Sequence, residues 1–238
     1  MKVGTDYHKI EVEWFGMELL EPNAFLGDAI LGILSLVIGI YLFGRRNEHK
    51  FYRYWVWFFF TMSAGFIMGG LGHLMWNYWG VEGKYFSWYA GILGTLFAEQ
   101  AMISINKNGK ERSVFNTIMR LKFVYAFLAL SFLIMTRDMT HQLELGLSVS
   151  LISTGIGTLF AFGFLPLYYR RQLRQSFRHF WISLIILLPV AYVQGGKFNP
   201  AQWFDRNDIS HLLMFVALIL YLFGIKKFHR HVKINRNR

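Results

Sequence analysis

Asn207, Asp208 and His211 stand at the mouth of a long apolar run that extends to Gly224. An amide, a carboxylate and an imidazole in that position cost free energy unless they are partnered, which makes them candidates for function. Offsets of four and three residues put all three on one face of a helix, one turn apart. Two more polar residues share their depth. Asp28 lies about one turn inside the first apolar run, and His73 about one turn from the end of the second. If successive runs cross a membrane in alternating directions, Asp28, His73 and His211 all fall near the outer face. The other histidines (His8, His49, His141, His179, His229 and His231) lie in loops, tails or at the edge of a run.

Two imidazoles and a carboxylate at one depth are a metal-ligand set. Neutral imidazole and carboxylate oxygen suit zinc, and three protein ligands leave a position for water. Zinc lowers the pKa of that water to about 7 and so makes hydroxide at neutral pH. On this reading His73, His211 and Asp28 bind zinc, Asp208 acts as base or orients a histidine, and Asn207 holds the water or the oxyanion. Two other readings use the same residues. In one, they hydrogen-bond across helices without metal, as the structural core of a non-catalytic sensor or receptor. In the other, His73 and His211 are axial ligands of a haem, although nearby Asp28 and Asp208 fit a hard cation better. A retinal protein is set aside, because residues 208–225 contain no lysine. There is no cysteine, hence no disulfide and no thiolate.

The elements that must position these groups are membrane helices. Of the 238 residues, 54% are hydrophobic and only 16% charged, against about 25% charged in soluble domains. Apolar spans are expected at 24–44, 53–77, 85–105, 121–136, 144–168, 179–194 and 208–225, the sixth broken by Pro189. This is an all-α, seven-span bundle over 24–225, with an extracytoplasmic segment at 1–23 and a basic tail at 226–238. Val12-Glu13-Trp14-Phe15 reads as a short surface strand or interfacial segment, and Glu21-Pro22-Asn23 as a helix start. Segments after the first, third, fifth and seventh spans carry nineteen lysines and arginines, and the opposite side carries six. The positive-inside rule therefore puts the N-terminus outside and the C-terminus in the cytoplasm. The same distribution argues against nucleic acid as the partner of the net +11 charge. A bacterial inner membrane is the expected location, with membrane lipids as partners.

Helix faces point the polar groups inward. Asp28, Gly32, Ser35 and Gly39 form one small-residue face, and Gly65, Gly69 and His73 another; such faces pack against other helices in membranes. Glu99 lies deep in the third span, far from the outer cluster, as a packing residue or a proton-path group. Ser150, Thr154 and Thr158 make a hydroxyl face on the fifth span, and Trp76, Tyr78, Trp79, Trp88 and Tyr89 an aromatic belt at the outer interface.

This pattern resembles the seven-span superfamily of alkaline ceramidases and adiponectin-receptor-like proteins, and within it a bacterial branch whose seventh span begins Asn-x-x-x-His. Its members carry a histidine late in the second span, matched by His73, and a His-x-x-x-His in the seventh, whose second histidine is matched by His211. Glu21-Pro22-Asn23 is similar to the acidic, Asn-containing segment that binds calcium in the ceramidases. The resemblance implies a zinc-dependent hydrolase of lipid-like amides or esters. The departures are specific. Asn207 replaces the first histidine of the pair, so Asp28 would have to supply the missing ligand. Gly69 replaces a serine four residues before the second-span histidine, and no acid stands near Lys84 and Tyr85, where the third-span aspartate would fall.

Overall fold

The computed structural model describes residues 8–172 and 177–236, with side chains through 170 and over 177–228. Lys2, Asp6, Arg174 and Arg238 lie outside the described residues, as do the side chains of Arg171, His229, Arg230, His231, Lys233 and Arg236. The chain opens with a hairpin, β1 (Glu11–Trp14) and β2 (Met17–Leu20), paired antiparallel with Trp14 opposite Met17. Its two-residue turn has Phe15 at φ 52° and Gly16 at φ 73°, the double positive φ that matches the twist of a tight hairpin. The strand expected at Val12–Phe15 is thus one arm of a hairpin. Its outer corner docks on the short helix α3, where Tyr78 Oη accepts from the Glu18 N–H at 2.9 Å and Asn77 donates to the Glu18 carbonyl at 3.2 Å.

Helices follow: α1 (Pro22–Phe43), α2 (Lys50–Leu74), α3 (Trp76–Trp79), α4 (Glu82–Ser104), α5 (Gly109–Thr136), α6 (Leu143–Thr158), a π-helical turn at Leu159–Phe164, α7 (Leu165–Gln172), α8 (Arg178–Gly195) and α9 (Arg206–Arg236). Among the described residues, six stretches are long and apolar enough to cross a membrane: α1, α2, α5, the continuous α6–π–α7 segment through Arg170, α8, and α9 through Phe228. The large apolar side chains turned outward agree. On α5, Leu121, Val124, Leu128, Phe132 and Met135 are all exposed at helical spacing, a stripe that suits lipid and not water.

The third expected span corresponds to α4, which is not among the six. At 23 residues and 1.5 Å per residue it is long enough, at about 34 Å. It lies between α2 on one side and α5 and α6 on the other. A helix walled by protein needs less apolar surface, which is why α4 carries Glu82, Lys84, Glu99 and Gln100. Other boundaries shift as well. The fourth span gains just over three turns at its N-terminus, where Asn108 caps α5 through the N–H groups of Lys110 and Glu111. Pro189 sits inside α8 without ending it, as membrane helices tolerate. α9 continues past the expected end of the seventh span into the basic tail.

The small-residue faces do what their spacing implies. Asp28, Gly32, Ser35 and Gly39 are all buried, with Gly32 against Ile67 and Ser63 of α2, and Gly39 against Phe60. Gly65 and Gly69 of α2 face Ala90 and Ser87 of α4. A side chain on Gly72 would overlap the Gly83 carbonyl. The opposite half of the bundle is filled by rings: Trp55 stacks on Phe180 at 5.5 Å and on Phe162 at 5.9 Å, with Tyr221 beside all three.

Glu99 is fully buried and paired with the Lys122 ammonium, which also donates to the Ser153 carbonyl at 3.0 Å. Lys122, read from sequence as one of the loop charges, is therefore inside the bundle. Gly157 makes the room, since a side chain there would overlap both partners. Glu99→Gln or Lys122→Met alone should each lower stability by roughly 3 kcal/mol, because either leaves one charge buried without its counter-ion. The double variant should lose less than the sum, and thermal unfolding of the four proteins in detergent measures that coupling.

Candidate functional site

The polar groups singled out in the sequence gather at the end of the bundle where α2 finishes and α1, α4 and α9 begin. They form two carboxylate–imidazole pairs. In the first, His211 Nε2 lies 3.2 Å from Asp28 Oδ1, with both side chains nearly buried. α1 and α9 pack side by side here, and Gly27 lets the imidazole in, because a side chain at 27 would overlap His211 Nδ1. That nitrogen is buried and without a hydrogen-bond partner among the described residues. On its other flank Asp28 is held by Gly70, where a methyl would come within 2.8 Å of its Cβ.

In the second pair, His73 Nδ1 is 2.9 Å from Glu21 Oε2. Glu21 occupies the N-cap position of α1 with φ 51°, in the left-handed region, which costs an ordinary residue roughly 1–2 kcal/mol. Its backbone is engaged on both sides: the N–H donates to the Ile10 carbonyl at 2.8 Å, and the carbonyl accepts from the Phe25 N–H at 3.1 Å. Its side chain does not cap its own helix. The carboxylate instead takes the Lys9 ammonium and His73, with Asn207 Nδ2 at 3.5 Å. Burial pushes the Glu21 carboxyl up, but the hydrogen bond and charge of His73 and the charge of Lys9 outweigh it and hold the group well below its ordinary range.

Asp208 and Asn207 serve the junction of α9 with its neighbours. Asp208 Oδ2 accepts from Asn23 Nδ2 at 2.8 Å and from the Asp205 N–H at 2.9 Å, tying the start of α1 to the start of α9. Asn207 Oδ1 accepts from Gln194 Nε2 at 3.3 Å.

A third gathering surrounds Gly69. A methyl there would lie 3.6 Å from Ser87 Oγ and 3.7 Å from Asp28 Oδ2, while Lys84 Nζ donates to the Gly69 carbonyl at 3.2 Å. Lys84 is within electrostatic reach of both Asp28 and Glu21. A carboxylate, a hydroxyl and an ammonium thus meet around one glycine. Ser87 Oγ donates to the Lys84 carbonyl at 2.8 Å.

The structure brings Asp28 and His211 together and puts His73 beside Glu21. Among the described residues, no three His, Asp or Glu side chains come close enough to hold one metal ion. Each imidazole is engaged by its own carboxylate, and the free nitrogen of His211 faces the Gly27 backbone. As placed, His73, His211 and Asp28 do not fit a three-ligand zinc set. Lys84 offers a physical reason, since its ammonium lies within electrostatic reach of the same carboxylates that a divalent cation would need. Glu21, Lys84 and Lys9 were not picked out as site residues from sequence. The signal for Glu21 was present, as an acid directly before the proline that opens α1.

Fold and site together define a helical, multi-pass membrane protein with a polar centre at one end of its bundle. The chain belongs to the family of unknown function DUF6962, which matches residues 24–230. No curated protein and no solved structure matches it.

Because Glu21 is held ionised in the folded state, its stabilisation is present above its ordinary value of 4.5 and is lost as pH falls through the depressed folded value. Glu21→Gln should cost roughly 3 kcal/mol at pH 7. The gap between wild type and variant should hold down to about pH 4.5 and narrow below it, read by thermal unfolding across pH in detergent.

Proposed function

We propose that the chain crosses the membrane seven times, with its N-terminus outside and its C-terminus in the cytoplasm, and hydrolyses a lipid-like amide or ester at its outer end. The length of α4 and the placement of its polar residues between neighbouring helices support the seventh crossing. The bias of lysine and arginine supports the orientation.

The observation that carries the hydrolase reading is the convergence of Asp28 Oδ2, Ser87 and Lys84 around Gly69. Asp28 is the general base: the His211 ring holds one oxygen and leaves the other to take a proton from the attacking water. The Lys84 ammonium supplies positive charge to the oxyanion that forms on the substrate carbonyl. Water adds to the carbonyl, the C–N or C–O bond breaks, and the proton passes to the leaving amine or alcohol. Lipid is the substrate class because these groups sit at the end of an apolar helix bundle, level with the aromatic belt of Trp76, Tyr78 and Trp79. Zinc, the cofactor expected from the residue set and from the resemblance, would supply the same positive charge if bound at this end.

Purified protein in mixed micelles, offered a panel of fluorogenic acyl amides and esters, should turn over at least one. Asp28→Asn and Lys84→Met should each lower kcat by about 10²-fold or more, measured at a temperature where each variant is still folded. Metal content of wild type and His211→Ala, measured on the same preparations, tests the zinc form directly. Stoichiometric zinc that disappears in the variant would place a metal at this end.

A second reading is favoured by the clasp of Lys9, Glu21 and His73, which joins the hairpin to α2 through side chains that already satisfy one another. On that reading the chain is a non-catalytic sensor or receptor and the polar centre is structural. A folded wild type inactive across the panel, with Asp28→Asn unfolding at lower temperature, would favour it.

A further inference from the structure

At the end of the bundle opposite His73, a cavity opens between the start of α2, the end of α4 and the first three turns of α5. Lys50 and Tyr54 line it from α2, Gln100 from α4, and Arg112, Asn116 and Arg120 from α5. It has three cations in its wall and no carboxylate. The nearby acids are engaged elsewhere: Glu99 with Lys122, and Glu111 with Tyr168 and Asn106. Along α2, Lys50 and His73 are 23 residues apart, or about 34 Å, so the cavity is separate from the outer centre.

Gln100 is 5% exposed, and its Nε2 has no hydrogen-bond partner among the described residues. An amide N–H₂ buried beside three cations, unpaired, is costly in an otherwise satisfied interior. A ligand that accepts hydrogen bonds and carries negative charge removes that cost. The shape of the donor set narrows it further. Two guanidinium forks and an ammonium, with an amide at the base, match the tetrahedral oxygens of a phosphate better than a planar carboxylate. Basic cavities between membrane helices on the cytoplasmic side are where anionic headgroups bind.

We propose that this cavity binds a phosphate group, held by Lys50, Arg112 and Arg120 at its rim and by the Gln100 amide at its floor. Two sources share that chemistry, the headgroup of an anionic phospholipid and free inorganic phosphate.

The test uses the full chain and two arms. In the first, detergent-purified protein is titrated with inorganic phosphate at constant ionic strength, with chloride as control. In the second, it is reconstituted in phosphatidylcholine nanodiscs with and without phosphatidic acid. Thermal unfolding is read in both. A rise in melting temperature is expected in at least one arm, and the arm identifies the source. Arg112→Gln with Arg120→Gln, both at exposed positions, should weaken apparent affinity by on the order of tenfold without lowering the ligand-free melting temperature. Gln100→Leu should keep or raise the ligand-free melting temperature and lose most of the ligand-dependent rise. No rise in either arm, or a rise that survives in both variants, overturns the proposal.

Discussion

The close approach of α1, α2 and α4 is the constraint on which the His73 end of the molecule depends. Gly32, Gly39, Gly65, Gly70 and Gly72 remove the side chains that would otherwise keep these helices apart, and at Gly72 the neighbouring backbone carbonyl takes the vacated space. Helices in lipid gain little from burying apolar surface against one another, so contact of this kind must come from fit. The same closeness brings a carboxylate on α1, a hydroxyl and an ammonium on α4, and the Gly69 carbonyl of α2 within a few ångströms. A bulkier interface would spread these groups apart.

The bundle divides its labour along its axis. The end at His73 is polar, organised by Asp28 and Glu21. The other half is filled by rings around Trp55, with the Glu99–Lys122 pair and Gln100 buried between its helices. Two of the bundle's buried carboxylates, Asp28 and Glu99, each have a partner from a different helix. Polar groups at membrane depth therefore report helix neighbours: Asp28 with His211 joins α1 to α9, and Glu99 with Lys122 joins α4 to α5.

Much of this was legible in the sequence because membrane helices announce themselves by length and apolarity, and glycines at spacing four announce the faces that touch. Asp28 and His211 were placed at one depth by counting turns, and they meet. His73 was placed at the same depth, but depth does not fix azimuth. Its ring turns toward Glu21, whose position depends on a left-handed backbone residue and on a hairpin that no helical periodicity describes. α4 was counted as a span on length and apolar content. It is enclosed by other helices, and enclosure depends on neighbours that a linear reading does not supply. Lys122 was misread for a related reason, since a lysine near a span boundary looks like a topology signal until its partner, twenty-three residues earlier, is known.

The pairing of Asp28 with His211 also sets an order of events. One partner belongs to the first long helix and the other to the last, nearly the whole chain apart. Helices enter a membrane in the order they are synthesised, so the Asp28 carboxylate must wait for its imidazole until α9 arrives. The Asp28–His211 pair is therefore among the last contacts of the molecule to be completed, and a chain that stops before residue 206 has the small-residue faces but lacks that pair.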